Sequence, residues 1–234
     1  METRSHRVII SFNLLFFDTI IKTVKGFNMI RKIENSLILN YISKIRNINL
    51  ESFLFRKYIS EIAKILAMSA FEKEDMVSRK TPTWAGEQEF LFLEEEKYVF
   101  IPILRAALPM LDGVLEIMPN AKAGFLALKR DEETFESKLF YDRVPNLSGK
   151  IAVLLDPMVA TGGSLEYAID IIKKKNPAKI ISFNIIGSPE GLDFVNSKHQ
   201  DVDIYIAQID KELNNKKYIL PGIGDAGDRV YNTL

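Results

Sequence analysis

Residues 151–164 have the sequence IAVLLDPMVATGGS, the stretch that is most informative about the fold. The first five residues are apolar, which is typical of a strand buried on both faces of a sheet. The strand delivers Asp156 to its carboxyl end, and Gly162, Gly163 and Ser164 then open a helix. Ligands of open α/β sheets bind beyond the carboxyl ends of the strands. The segment therefore predicts a strand, a ligand-binding loop and a helix in succession.

The predicted loop has the chemistry of a site for a phosphorylated sugar. Paired glycines let the backbone approach a ligand closely, and N–H groups at the start of a helix bind anions. Thr161 and Ser164 add hydroxyl donors, whereas Asp156 would repel a phosphate and suits sugar hydroxyls instead. The alternative is an ordinary strand–turn–helix connection with a capping serine, which a lone Gly-Gly-Ser would favour.

Strand and helix patterns alternate on both sides of this segment. Continuous apolar strands alternating with helices indicate a parallel sheet covered on both faces. No internal repeat or flexible linker divides the chain, so we expect one α/β domain with a parallel sheet flanked by helices. The other apolar runs occupy residues 98–104, 123–128, 179–186 and 202–207, and the helical patterns occupy residues 110–118, 165–175 and 189–198.

A helical segment is predicted ahead of the first of these strands. Apolar residues at helical spacing indicate helices over residues 36–45 and 50–71, the second with Asn49 near its cap. Residues 81–86, TPTWAG, are predicted to form a turn, and residues 94–97 a solvated turn.

The composition excludes several kinds of chemistry. The chain has 234 residues, no cysteine, and only His6 and His199 as histidines, so disulfides, thiolate metal sites and a cysteine nucleophile are excluded. Lysine plus arginine and aspartate plus glutamate both total 31, which removes the main argument for nucleic-acid binding. His199 lies near a predicted helix end, where interaction with the helix dipole is expected rather than catalysis. We expect a cytoplasmic protein.

The N-terminus is the most apolar part of the chain. Residues 8–24 are interrupted by an asparagine and an aspartate, whereas a spanning helix needs about 20 nearly uncharged residues, so no membrane span is expected. Three interpretations stay open: an extension ahead of a true start at Met29, an extra packed helix, or a targeting segment. We therefore divide the chain into an extension of uncertain status, residues 1–28, and a single domain, residues 29–234.

The string DPM-ATGGS matches the phosphoribosyl-diphosphate signature of type I phosphoribosyltransferases and resembles the variant found in the uracil phosphoribosyltransferase family. The resemblance extends from about residue 33 to the C-terminus and includes SPEG at residues 188–191 and DVDIY at residues 201–205. It implies a type I phosphoribosyltransferase-like sheet with a flexible hood over residues 130–145. It also implies contacts to phosphoribosyl diphosphate from Asp156, Pro157, Met158, Val159, Ala160, Thr161, Gly162, Gly163 and Ser164.

Two arginines are implied to bind the diphosphate. Arg105, in ILRAAL, resembles the arginine of the family's pyrophosphate loop, and Arg130, in RDEET, resembles a second contact at the start of the hood. The alternative for Arg130 is a solvated side chain. The family usually has glycine where this chain has Ala107 and Pro109, so either the loop conformation changes there or Pro109 serves as the first residue of the following helix, where proline is tolerated.

The C-terminal string YILPGIGDAGDR, residues 218–229, resembles the family's uracil-binding segment. Uracil offers an N–H donor between two carbonyl acceptors, and backbone groups supply the complement. The resemblance places the backbone of Ile219, Gly224, Asp225 and Ala226 at the base, with Asp225 also near the ribosyl diphosphate.

The resemblance implies the reaction of uracil with phosphoribosyl diphosphate to give UMP and diphosphate, with Arg105, Asp156 and Asp225 as the catalytic residues. Mg²⁺ is expected to bind through the substrate diphosphate and water, without side-chain ligands. A homodimer or higher homo-oligomer is expected, and GTP is a candidate activator. Two rivals remain: a transferase of the same fold for another base, and a non-catalytic nucleotide-binding regulator, for which Ala107 and Pro109 are the best argument.

Overall fold

A computed structural model describes residues 21–23, 29–130 and 137–233, with six helices and thirteen strands in those ranges. A single turn of 3-10 helix covers Glu95–Lys97. The helices are α1 (Ser36–Ile45), α2 (Ser52–Ala70), α3 (Leu108–Ile117), α4 (Gly163–Lys173), α5 (Pro189–Lys198) and α6 (Ala226–Tyr231). The strands are β1 (Ile21–Thr23), β2 (Ile30–Ile33), β3 (Met76–Thr83), β4 (Gly86–Leu93), β5 (Tyr98–Leu104), β6 (Lys122–Ala123), β7 (Phe125–Arg130), β8 (Ser137–Arg143), β9 (Ile151–Val159), β10 (Lys179–Gly187), β11 (Val202–Ile209), β12 (Glu212–Leu213) and β13 (Ile219–Leu220).

The central sheet has the strand order β1-β2-β11-β10-β9-β5-β7-β8, with β6 beside β5. Neighbouring strands from β2 to β7 are parallel, and β1 and β8 add antiparallel edges. The inner strands β5 and β10 are almost wholly buried, as expected for strands covered on both faces. The α/β prediction with a mostly parallel sheet is confirmed.

Hydrophobic residues fill both faces of this sheet. On one face α1, α2 and α3 pack on a cluster that includes Phe55, Phe100 and Phe183. On the other face α4 and α5 pack on Leu154 and Ile206. Burial on both sides fixes the register of β9, and with it the position of the loop that follows.

Strand β9 is longer than the sequence pattern predicted. The predicted strand ended at residue 155, but pairing with β10 continues through Asp156, opposite Asn184, and Met158, opposite Ile186. Asp156, predicted at the carboxyl end of the strand, therefore lies three residues before that end, which is Val159. Pairing continues because β10 itself runs on to Gly187 and supplies a partner for the extra residues.

Residues 81–86, predicted as a turn, form the tip of a long β3–β4 hairpin. The sequence missed its two strands because the hairpin has no buried face: Trp84 is 99% exposed, and Phe90 and Leu91 are also exposed.

Several other boundaries differ. Helix α2 is capped by Glu51 without a side-chain hydrogen bond, so the cap predicted at Asn49 is wrong. The apolar run at residues 123–128 divides at Gly124 into β6 and β7. Helix α4 begins at Gly163, which confirms that Gly162, Gly163 and Ser164 open a helix, but it ends at Lys173 rather than at residue 175. By contrast α1, α5 and β5 have the predicted bounds.

Most of the N-terminal 28 residues lie outside the described part of the chain. Ile21–Thr23 forms β1, antiparallel to β2. No helix among the described residues is both long enough and apolar enough to span a membrane.

Candidate functional site

The glycine loop closes sharply at the start of α4. Gly162 caps the helix with φ +83°, and a Cβ there would lie 2.5 Å from the carbonyl oxygen of Gly191. Only glycine fits this conformation and this close approach. Because a glycine cap brings no side-chain acceptor, the start of α4 has the arrangement that binds phosphate.

The SPEG turn supports the glycine loop from behind. The Ser188 hydroxyl donates to the carbonyl of Ala160 at 2.5 Å and accepts the N–H of Gly191 at 2.9 Å. A Cβ on Gly191 would lie 2.2 Å from the Ala160 oxygen, so the two backbones are in contact. The start of α5 therefore fixes the shape of the predicted phosphate site.

Asp156 is buried beside this loop. Burial raises the pKa of its carboxyl to about 7, although a hydrogen bond from the N–H of Met158, at 3.2 Å, works in the opposite direction. The Asn184 amide donates to the backbone carbonyl of Asp156 at 2.9 Å, and the Ser182 hydroxyl donates to Asn184 Oδ1 at 2.9 Å. A buried polar chain thus fixes the backbone at Asp156, while the N–H of Met158 bonds its carboxyl.

Arg105 follows β5, after a cis peptide bond to Leu104. Its guanidinium donates to Asp228 Oδ1 at 2.8 Å and to Thr233 Oγ1 at 3.0 Å. The Tyr231 hydroxyl donates to the Arg105 carbonyl at 3.1 Å, and the guanidinium lies 5.4 Å from the centre of that ring. The C-terminal residues therefore contact both the guanidinium and the backbone carbonyl of Arg105.

The unusual residues of the Arg105 loop fit regular helix geometry. Ala107 caps α3 with a right-handed φ of −85°, a conformation that needs no glycine. Pro109 lies in the first turn of α3, where its missing N–H has no helical partner to lose. The expectation that these residues distort the loop is not supported.

Arg130 is the last residue of β7, and its backbone pairs with Ser137 of β8. Its side chain and residues 131–136 lie outside the described part of the chain. The predicted diphosphate contact stays a prediction, and so does closure of the hood. The base of the hairpin is joined to the end of α4 by a 2.8 Å ion pair between Asp142 and Lys175.

A pocket of about 1010 Å³ lies beside the glycine loop. It is lined by Met158 and Ala160 and by residues 214–221 and 223–225. Of the residues predicted to contact uracil, Ile219, Gly224 and Asp225 line it. Ala226 does not line it, because its side chain is fully buried in α6.

Asp225 has a local structural role in addition to the one predicted. Its carboxylate caps α6 by accepting the N–H of Asp228 at 2.9 Å. Asp228 in turn accepts from Arg105. The predicted base segment and the predicted diphosphate arginine are therefore linked through one short helix.

The structure thus brings Met158 and Ala160 together with Ile219, Gly224 and Asp225 in one pocket, and it joins Arg105 to Asp228, whereas neither Asp156 nor Arg105 lines the pocket. The sequence predicts no role for Asp228, although it lies in the C-terminal string, and none for Tyr231 or Thr233. Arg105 and Asp228 are 123 residues apart, so only the fold reveals their contact. The sole available signal was the acidic and aromatic character of the C-terminal segment.

His199 differs from its prediction. It caps the C-terminus of α5, but burial, followed by the nearby charge of Lys173, lowers its pKa and disfavours the cation that a dipole interaction requires. Its nearest carboxylate, Asp170, is 3.8 Å away. The predicted dipole role is therefore not supported.

Comparison with known proteins gives a consistent result. The family model described as uracil phosphoribosyltransferase matches residues 32–233. Proteins named uracil phosphoribosyltransferase from Aquifex aeolicus and Malacoplasma penetrans are 43% and 40% identical over 203 residues, which cover 87% and 86% of this chain and 98% and 97% of those proteins.

A solved structure of an Aquifex aeolicus protein superposes with a TM-score of 0.85 at 43% identity, covering 87% of this chain and 98% of that one. The family match extends over the glycine loop, Arg105 and the whole C-terminal segment. The chain belongs to the uracil phosphoribosyltransferase family.

Proposed function

We propose that this protein transfers the phosphoribosyl group from phosphoribosyl diphosphate to uracil, giving UMP and diphosphate. The observation that carries the proposal is the shared pocket. It is lined by Met158 and Ala160 of the glycine-loop segment and by residues 214–221 and 223–225, which overlap the predicted base-reading segment, residues 218–229. A sugar phosphate on the loop and a base in the pocket would therefore meet.

At the anomeric carbon of the ribose, the reaction forms one bond and breaks one. Uracil N1 forms a bond to that carbon, the bond from the carbon to diphosphate breaks, and the proton on uracil N1 is released to water. The transition state resembles an oxocarbenium ion, with positive charge on the sugar and negative charge on the leaving diphosphate. Preorganised charges stabilise such a state.

Asp156 and Arg105 match the two developing charges. Ionised Asp156 accepts hydrogen bonds from the ribose hydroxyls and lies near the cationic sugar. Arg105 binds oxyanions through its guanidinium, and Asp228 and Thr233 fix its direction before substrate arrives. Arg130 is proposed as the second diphosphate contact, and the hood as the element that excludes water.

The base is selected by backbone groups. Ile219 is buried at the pocket wall, and Gly224, with φ +73°, exposes its backbone without a Cβ. Backbone N–H and C=O groups complement the alternating acceptors and donor of uracil. Asp225 is proposed to contact the base through its backbone and the ribosyl diphosphate through its carboxylate, while Ala226 acts only through its backbone.

Mg²⁺ is proposed to arrive with the diphosphate. In the described ranges no group of three or more histidine, aspartate or glutamate side chains is placed to hold a metal. The donor set therefore fits an ion bound mainly by substrate oxygens and water, whose charge would offset that of the diphosphate. GTP is proposed as an activator, and measuring UMP formation from uracil with and without GTP tests this.

The protein is proposed to work as a cytoplasmic homodimer or larger homo-oligomer. The β3–β4 hairpin leaves Trp84 at its tip and Phe90 and Leu91 on its two faces exposed, and exposed apolar side chains of this kind suit contact with another protein surface. A second copy of the chain is the proposed cover, which sedimentation analysis tests directly. The phosphorylated substrate supports the cytoplasmic location, because compounds with charged phosphate groups do not readily cross membranes.

A panel of bases tests the proposed function. Purified protein is incubated with phosphoribosyl diphosphate, Mg²⁺ and uracil, orotate or hypoxanthine, and nucleotide formation is measured. We expect UMP from uracil and no nucleotide from the other two. Nucleotide from another base would favour the same-fold rival, and binding of phosphoribosyl diphosphate without turnover would favour the non-catalytic regulator.

A further inference from the structure

An ion pair between a buried carboxylate and a partly exposed arginine joins the end of α1 to the end of β11. Arg46, which follows α1, donates to both carboxylate oxygens of Asp210, which follows β11, at 2.8 and 2.6 Å. Neither residue lines the pocket. Burial acts to raise the pKa of Asp210, but hydrogen bonds from Arg46 and from the N–H of Gly222, with the charge of Arg46, hold that pKa below its ordinary value.

The same pair grips one glycine of the base-reading segment. The N–H of Gly222 donates to Asp210 Oδ2 at 2.8 Å, and the carbonyl of Gly222 accepts from Arg46 at 2.8 Å. Gly222 has φ +62°, and a Cβ there would lie 2.1 Å from the carbonyl oxygen of Ile219. Fixing Gly222 therefore fixes the turn between Ile219 and Gly224, two residues that line the pocket.

A second arginine, which is buried, holds the next residue of the turn. Arg229 donates to the carbonyl of Ile223 at 2.8 Å and to the carbonyl of Asn47 at 2.6 Å, and it also bonds the carbonyl of Ile45. Its guanidinium lies 4.2 Å from the ring centre of Phe55. Successive carbonyls of the turn, those of Gly222 and Ile223, are thus tied to the C-terminal end of α1.

We propose that Arg46, Asp210 and Arg229 are positioning residues that hold the backbone of the turn in the conformation that reads the base. The inference rests on the proposed function, because it assigns the turn to uracil. Backbone recognition has no side chain to adjust, so its accuracy depends on what fixes the backbone. The three residues therefore set the affinity for the base. Asp210 contacts Gly222 and not Asp228, which holds Arg105, so its loss should have little effect on the phosphoribosyl diphosphate site.

Asp210→Asn tests the proposal, with Asp203→Asn as the matched control. Asp203 is equally buried, 4% exposed against 5%, and also forms ion pairs, with Arg31 at 3.5 Å and Lys179 at 2.7 Å. It lies at the opposite end of the same strand, β11. Both variants remove a buried, ion-paired carboxylate, but only Asp210 contacts Gly222, so only the Asp210 variant should affect the base.

Steady-state kinetics separate positioning from general damage. For Asp210→Asn we expect the KM for uracil to rise by about tenfold or more, as loss of a charged hydrogen bond implies, with the KM for phosphoribosyl diphosphate within about twofold. Arg46→Lys, which keeps the charge but not the forked geometry, should give a smaller rise than Arg46→Met. Asp203→Asn should leave both KM values unchanged. A folded Asp210→Asn variant with an unchanged uracil KM, or with equal rises in both KM values, would overturn the proposal.

Hydrogen exchange of residues 219–226 gives a readout that does not need turnover. We expect faster amide exchange there in Asp210→Asn than in Asp203→Asn or wild type, and equal rates would contradict the positioning role. If wild type forms no UMP, the proposed function fails while this measurement still decides whether the three residues fix the turn.

Discussion

The Arg105 guanidinium donates to the Asp228 carboxylate at 2.8 Å, across 123 residues of sequence. The arginine side chain remains 52% exposed, so it is oriented without being buried. This contact connects the loop after β5 to helix α6, and it makes the orientation of a diphosphate-binding group depend on the C-terminal segment.

Asp228→Asn should reduce kcat/KM for phosphoribosyl diphosphate by about tenfold, since Arg105 then samples orientations that do not face the diphosphate. The KM for uracil should change little. Initial-rate kinetics with each substrate varied in turn would measure both effects. Asp201→Asn, which removes a surface ion pair with Lys173, is the control and should behave as wild type. Unaltered kinetics in Asp228→Asn would show that Asp228 does not orient the arginine.

The raised pKa of Asp156 predicts a pH-dependent gain of stability in Asp156→Asn. The folded pKa of about 7 lies above the ordinary value of 3.8, so the protonated carboxyl contributes stability that is lost as the pH rises through about 7. Asparagine mimics the neutral form. The variant should therefore be more stable than wild type at about pH 8, by at most about 4 kcal/mol, and close to wild type at about pH 4.

Denaturant unfolding at the two pH values measures this difference. Exposed Asp193 on α5 provides the control, and Asp193→Asn should show no comparable pH dependence. A stability difference between Asp156→Asn and wild type that is the same at both pH values would contradict the assignment of a buried, ionising carboxyl.

Gly222→Ala should raise the KM for uracil, an effect beyond the strain that its positive φ alone would cause. The added Cβ would lie 2.1 Å from the Ile219 carbonyl oxygen, whereas Gly149, with a similar φ of +69°, has open space around it. Gly149→Ala should destabilise the protein by about 1 kcal/mol through strain alone. Gly222→Ala should in addition raise the KM for uracil by roughly tenfold or more. Equal behaviour of the two variants would argue against a tight base-reading turn.

Gly191→Ala should weaken binding of phosphoribosyl diphosphate from outside the site. Its Cβ would lie 2.2 Å from the Ala160 carbonyl oxygen, so the glycine loop must shift. We expect the KM for phosphoribosyl diphosphate to rise by about tenfold, measured by initial rates. Gly86→Ala, in the open hairpin tip, is the control and should leave that KM at the wild-type value. An unchanged KM in Gly191→Ala would show that the glycine loop does not depend on its contact with Gly191.

The sequence predicted the buried elements well because burial imposes a pattern. Strand β5 and helix α5 have the predicted bounds, since their apolar spacing records which face is covered. The β3–β4 hairpin leaves no such record, because both its faces are exposed. Strand β9 was predicted too short because Asp156 and Pro157 are poor strand residues, and pairing with β10 overrides that preference.

The site was predicted where the chain is continuous and missed where it is assembled from distant parts. The glycine loop is one contiguous string, so its turn and helix start were visible in the sequence. The contacts of Arg46 with Asp210, and of Arg229 with the end of α1, join segments more than 150 residues apart. Nothing local to Arg46 signals a partner after β11.

The most direct test of the central claim compares wild type with Asp156→Asn in a uracil-dependent assay with phosphoribosyl diphosphate and Mg²⁺. Wild type should produce UMP and diphosphate in equal amounts. Asp156→Asn, although folded, should lose activity by about 100-fold or more, because it cannot offer negative charge to the developing sugar cation. Absence of UMP from wild type, or undiminished UMP formation by the folded variant, would contradict the account.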